Sequence, residues 1–294
     1  MSLIVCLTAD PARTPLDGTV VTALRAALGG NERWLAEAEA CELVVAGGGR
    51  REVLDRIAEA VPDPPYDVAV LPAEARRKHL LVSDMDSTMI TVECIDELAD
   101  YLGVKSEVSA ITRRAMNGEL DFVAALQARV ALLEGLPVGV FDEVFCERVR
   151  LMPGARTLVR TMRAWGAWTA LVSGGFTPFT ERVRAAVGFD LAQANRLESL
   201  DGRLTGRLLG PIRSPQSKLA LLRQLTRVLR LPTAATLAVG DGANDLPMLL
   251  AAGLGVAFRP APAVAAAAPV TVRYGDLTAL LYLQGVAKRR FVSV

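Results

Sequence analysis

Residues 80–83 read Leu-Leu-Val-Ser, an apolar run without polar alternation, and Asp84 and Asp86 follow it at once. A stretch of that kind is the pattern of a short strand enclosed on both faces of a parallel sheet. It returns at Thr169–Ser173, Thr236–Gly240, Gly255–Phe258 and Val270–Arg273, with helix-period stretches between. The alternation predicts an α/β fold over residues 79–294, with a doubly wound, mostly parallel sheet. Residues 92–151 depart from it: their periodicity is helical throughout, which predicts a helical cap inserted after the first strand. Such an insertion sits over the sheet edge, where it can act as a lid. Asp201-Gly202, flanked by Leu200 and Leu204, predicts a hairpin turn.

Residues 1–78 follow a different rhythm. Short strands at Leu3–Leu7, Cys41–Val45 and Asp67–Leu71 alternate with helical stretches at Val20–Leu28 and Glu52–Ala60. Pro62, Pro64 and Pro65 interrupt the pattern, and a charged link, Glu74–Lys78, follows. The expectation is a small α+β domain over 1–78 that carries no chemical constellation. Gly47-Gly48-Gly49 reads as a turn, because no strand–helix phosphate fingerprint surrounds it.

Composition narrows the function classes. Of 294 residues, 51% are hydrophobic and 22% charged, which suits a globular chain with a sizeable core. A net charge of +1 leaves no electrostatic footprint for nucleic acid or an acidic membrane. No uncharged apolar run reaches the length of a membrane span, and the start lacks the basic region of a signal peptide, so the expected location is cytoplasmic. The four cysteines contain no CxxC pair and read as buried thiols. His79 is the single histidine, which excludes a multi-histidine zinc site. There is no GxxxxGK[ST] loop. The chemistry falls to carboxylates.

Four pieces lie at or just after the carboxyl ends of predicted strands, the edge where open α/β sheets bind ligands. They are Asp84-Met85-Asp86-Ser87-Thr88, Ser173-Gly174-Gly175, Lys218, and Gly240-Asp241-Gly242-Ala243-Asn244-Asp245. Asp84 and Asp86 repel one another, so a positive group is expected between them. Lys218 is informative in itself. Ser214 as N-cap and Pro215 at the first helical position place it in the first turn, where the helix dipole disfavours a cation. It also shares a stripe with Leu222, Leu225 and Leu229, so it needs an anion on the buried side. In the cap, Phe122, Leu126, Arg129 and Leu133 share one helical stripe, which turns Arg129 toward the apolar side. Glu93 is expected in the first turn of the next helix.

These motifs resemble the haloacid dehalogenase superfamily of aspartate-nucleophile phosphohydrolases, over about residues 79–285. Within it, DMDSTMITVECIDELA and VSGGFTPF are similar to the phosphoserine phosphatases. The resemblance implies hydrolysis of O-phosphoserine, the last step of serine biosynthesis. Asp84 would be the nucleophile and Asp86 the acid and base. It implies Mg²⁺ held by Asp84, the Asp86 carbonyl and Asp241, with Asp245 in support. Phosphate would be held by Ser173, Gly174, Lys218 and Asn244. The substrate's carboxylate would fall to Arg129, its ammonium to Glu93, and its lid contacts to Met116 and Phe122. The segment PIRSPQSK, residues 211–218, departs from the family pattern although Lys218 is in place. Residues 1–78 resemble the N-terminal regulatory modules, some ACT-like, of bacterial members. The expected partner is the small-molecule substrate, with neither nucleic acid nor membrane, and a homodimer is left open. The rival readings are a phosphotransferase of the same fold, passing phosphate to an alcohol such as homoserine, and a catalytically silent amino-acid sensor.

Overall fold

The structure, a computed structural model, describes residues 2–116 and 119–292. Its strands are β1 (Ser2–Thr8), β2 (Asn31–Ala36), β3 (Ala40–Ala46), β4 (Asp67–Pro72), β5 (Leu80–Ser83), β6 (Trp168–Phe176), β7 (Leu191–Leu200), β8 (Arg203–Leu209), β9 (Thr236–Gly240), β10 (Leu254–Phe258) and β11 (Val270–Val272). The first four form an antiparallel sheet in the order β2-β3-β1-β4. The rest form a seven-stranded sheet in the order β11-β10-β9-β5-β6-β7-β8. Every pairing in it is parallel except β7 with β8. This is the α/β, mostly parallel sheet that the apolar runs predict. Among the described residues no helix is long and apolar enough to cross a membrane.

The period of two along each strand decides which core a residue enters. Leu80 and Val82 of β5, Ala170 and Val172 of β6 and Ala238 of β9 face one layer, with Leu221, Leu222 and Leu225 of helix Pro215–Val228. Leu81, Leu171, Leu237 and Val239 face the other, with the cap and helix Ala279–Tyr282. Because β5 lies between β9 and β6, the chain leaves its carboxyl end in opposite directions. That crevice is the switch point where open α/β sheets place ligands.

The central strand β1 of the four-stranded sheet is buried on both faces. Val5 and Leu7 pack under helices Gly18–Leu28 and Arg50–Ala60, whereas Ile4 and Cys6 join the main core. One buried ion pair and a buried hydrogen bond reinforce that contact, with a half-exposed arginine beside them. Glu42 accepts from Arg33 at 2.7 Å and from Arg76 at 2.5 Å, and Tyr282 donates to Glu39 at 2.8 Å. Asp67, at the start of β4, accepts backbone N–H groups of Arg273, Tyr274 and Gly275.

Two features lay outside the sequence pattern. β2 is an edge strand exposed at its first four residues, so its sequence carries no apolar alternation. β7 and β8 are longer than their turn alone indicates, and Asp201 and Gly202 both take positive φ (49° and 76°), the backbone of a tight hairpin. The cap consists of helices Cys94–Tyr101, Lys105–Met116, Phe122–Ala131 and Val140–Glu147.

Candidate active site

β5 ends at Ser83, and the Asp84 N–H still donates to Val239 of β9 at 2.9 Å, so its side chain emerges above the centre of the sheet. Helix Pro215–Val228 approaches from below. Ser214 caps it, a reciprocal hydrogen-bond pair with Ser217 fixes the first turn, and Lys218 lies on the face that carries Leu221, Leu222 and Leu225 inward. Lys218 is therefore 2% exposed. Its Nζ stands 2.8 Å from Asp84 Oδ1 and 2.7 Å from Asp245 Oδ1. These contacts answer the unfavourable helix end. Burial opposes the charge on Lys218, but Asp84 and Asp245 outweigh it and raise its pKa.

The carboxylates pull the other way. Asp84 is raised well above the usual range by burial and then by Asp245, against the effect of Lys218. Asp86 is pushed up to about 7 by burial and by Glu93, although the Cys94 N–H donates to its Oδ1 at 3.2 Å. Asp241 is also pushed up to about 7, by burial, Asp245 and Glu93. One ammonium thus faces a surplus of acids. Oxygens of Asp84, Asp241 and Asp245 lie within 4.8 Å of one another. An all-oxygen, buried, over-negative cluster suits a hard divalent cation.

Above the carboxylates is a cavity of about 130 Å³. Its floor is Asp84, Asp86, Asp241 and Asn244, one wall is Ser173, Gly174, Gly175 and Phe176, and its roof is Glu93, Ile95, Phe122, Leu126 and Arg129. Asp245 and Lys218 lie beneath it. Phe122 of the cap rests on Gly174, its ring end 3.4 Å from where a Cβ would stand. Burial lowers the Arg129 pKa, opposed by Asp96 and Glu93. The Met116 side chain lies outside the described residues.

Glu93 differs from the first-turn placement expected of it. It occupies the N-cap position of helix Cys94–Tyr101 without capping it, and accepts from Ser87 Oγ at 2.6 Å. A left-handed backbone at Ser87 (φ 54°) makes that contact. Sequence reasoning also passed over residues that hold the acids in place. Thr88 donates to Asp241 at 3.1 Å, although its place beside the aspartate pair was a signal. Gly240 is obligatory, because a Cβ there would lie 2.3 Å from Asp245 Cγ. Gly175 gives way to Asp86 in the same manner, at 2.8 Å from Oδ2.

Residues 81–250 match the model of the haloacid dehalogenase-like hydrolases. The chain belongs to that family. A haloacid dehalogenase family hydrolase from Salmonella enterica serovar Typhi superposes with a TM-score of 0.85 at 32% identity, covering 96% of this chain and 98% of that one. A solved phosphoserine phosphatase carrying a phospho-aspartyl intermediate analogue superposes with a TM-score of 0.65 at 36% identity, covering 70% of this chain and 98% of that one. The phosphoserine phosphatase of Streptomyces coelicolor is 45% identical over 251 residues, 85% of this chain. The chain spans 61% of that relative's length. Within the haloacid dehalogenase-like hydrolases, Asp84 and Asp241 here open the two loops that meet over β5 and β9.

Proposed function

We propose that this chain is a cytoplasmic, Mg²⁺-dependent phosphoserine phosphatase, hydrolysing O-phosphoserine to serine and phosphate. The observation that carries the reading is the cavity itself, lined together by the acidic group Asp84, Asp86 and Asp241 and by Arg129 and Glu93 of the cap. A phosphate monoester would sit at the floor. A zwitterionic amino-acid end would find a guanidinium for its carboxylate and a carboxylate for its ammonium. The similarity to phosphoserine phosphatases supports this choice of substrate.

Asp84 attacks phosphorus, forming an aspartyl phosphate as the bond to the serine oxygen breaks. Asp86, whose raised pKa keeps a proton available near neutrality, delivers it to the leaving oxygen. The resulting Asp86 carboxylate takes a proton from water, which attacks phosphorus, releases phosphate and restores Asp84. Lys218, Ser173, the Gly174 N–H and Asn244 hold the phosphoryl oxygens, whose charge is what phosphoryl-transfer catalysis must stabilise. Mg²⁺ held by Asp84, the Asp86 carbonyl and Asp241, with Asp245 behind them, would neutralise charge on the phosphoryl group. Phe122 closing on Gly174 excludes water that would compete for the first step.

The test is phosphate release across small phosphomonoesters, with and without an acceptor alcohol such as homoserine. Phosphoserine is expected to be preferred, with free phosphate as product at every acceptor concentration. Phosphorylated acceptor in place of phosphate would establish the transferase reading instead, and absence of any turnover would establish a silent binding protein.

A further inference from the structure

Asn195, near the middle of β7, is 2% exposed and lies outside the cavity lining. Its amide nonetheless touches two parts of the phosphate end. Nδ2 donates to the Gly174 carbonyl at 2.7 Å, and Oδ1 accepts the Arg213 N–H at 2.7 Å. Only one orientation of the amide satisfies both partners. The Gly174 carbonyl belongs to the same rigid peptide as the Gly175 N–H, which donates to Ser173 Oγ at 2.8 Å. With a lone pair engaged there, the Ser173 hydroxyl donates into the cavity, to Asp86 Oδ2 at 3.4 Å, a direction that a phosphoryl oxygen can share. At the other end, Arg213 immediately precedes Ser214, the cap of the helix that carries Lys218.

We propose that Asn195 is a positioning residue for phosphoryl transfer, holding the Gly174–Gly175 peptide so that Ser173 donates to a phosphoryl oxygen and fixing the connection that sets Lys218. The inference rests on the phosphatase reading and deepens it. A neutral amide is needed, because one group must donate and the other accept from adjacent positions of one side chain. Asparagine alone has this reach and polarity without a charge. It is also why the unusual segment at residues 211–218 can differ in side chains and still deliver Lys218: the bracing contact is to the Arg213 backbone.

The decisive substitution is Asn195→Asp in the full chain. It keeps the acceptor for Arg213 and sets a carboxylate oxygen against the Gly174 carbonyl. Protonation would restore an O–H donor there, and burial raises the pH at which this happens. The ratio of variant to wild-type kcat is measured from about pH 8 to about pH 5. Arg196, Arg213 and, past Ser173, Asp86 are the charged groups on the elements around residue 195. The added carboxylate can only raise the Asp86 pKa, and that shift moves the ratio in the opposite sense, up toward alkali or down toward acid. The expected ratio is about tenfold below unity at the alkaline end and recovers at least about threefold toward the acid end, equally for phosphoserine and p-nitrophenyl phosphate. A ratio independent of pH, or a loss confined to phosphoserine, overturns the proposal. Should the aspartate variant fail to fold, Asn195→Ala decides. A folded Asn195→Ala protein within about twofold of wild-type kcat overturns it, and a loss of about tenfold with weaker inhibition by inorganic phosphate supports it. Wild-type protein inert toward every phosphomonoester would overturn the phosphatase reading itself, and this inference with it.

Discussion

The Lys218 ammonium and the Asp84 carboxylate meet at 2.8 Å, both nearly buried, with Asp245 as a second acceptor at 2.7 Å. Removing one partner of such a pair leaves an uncompensated charge, which costs about 3–5 kcal/mol. Lys218→Met is therefore expected to lose that stability at neutral pH and about 10²-fold or more in kcat. The stability loss should shrink in acid, because Asp84 can then take a proton. Urea unfolding at two pH values measures it, and an equal loss at both would count against the charge argument.

The crowded acids link stability to pH. Asp86 and Asp241 have folded pKa values of about 7, above their unfolded values, so the folded state binds protons more tightly. Their contribution is full below the ordinary carboxylate range and is lost as pH rises through about 7. Protons and a divalent cation compete for the carboxylate oxygens of Asp84 and Asp241, both of which burial makes easier to protonate. The rise in Tm produced by Mg²⁺ should thus be small near about pH 5 and grow toward about pH 8. A rise that is constant over that range would exclude these carboxylates as the binding site.

Arg129 on the cavity roof makes substrate choice testable. Arg129→Ala should lower kcat/KM for phosphoserine by about 10²-fold, or about 2.7 kcal/mol, and Arg129→Lys should not restore it. Phosphoethanolamine, which lacks the carboxylate, should be affected much less. Glu93→Gln should instead penalise substrates that carry an ammonium group. Equal losses on both phosphoesters in the Arg129 variant would remove the carboxylate assignment.

Glu42 joins the small sheet to the rest of the chain. It is 2% exposed, and its partner Arg76 also donates to the carbonyls of Tyr282 and Leu283. Glu42→Ala is expected to lower stability by about 3–5 kcal/mol while leaving kcat of the folded protein within about twofold. Chemical unfolding and turnover, measured on the same sample, separate the two effects.

The sequence by itself determined five of the seven strands that build the large sheet and the order of the acidic motifs on them. Strands buried on both faces have no polar positions, so β5, β6, β9 and β10 stand out as apolar runs, and motifs at their ends must converge. Lys218 was legible for a related reason: a cation on an apolar stripe at the wrong end of a helix implies a buried anion. Tertiary structure alone decided how the acids share one lysine, that Glu93 leaves its helix end for Ser87, and that Gly240 and Gly175 must lack a side chain. Some of these depend on distances between segments far apart in the chain, as for Lys218 and Gly175. Others, as for Glu93 with Ser87 and Gly240 with Asp245, depend on the local backbone path of a loop; the hydrophobic pattern encodes neither. Two further features escaped for the opposite reason. β2 is exposed along most of its length, and Asn195 acts through hydrogen bonds to backbone groups, so neither leaves a hydrophobic or charged signature. Only the packing of β7 against β6 and the entry to the Lys218 helix reveals what that asparagine holds.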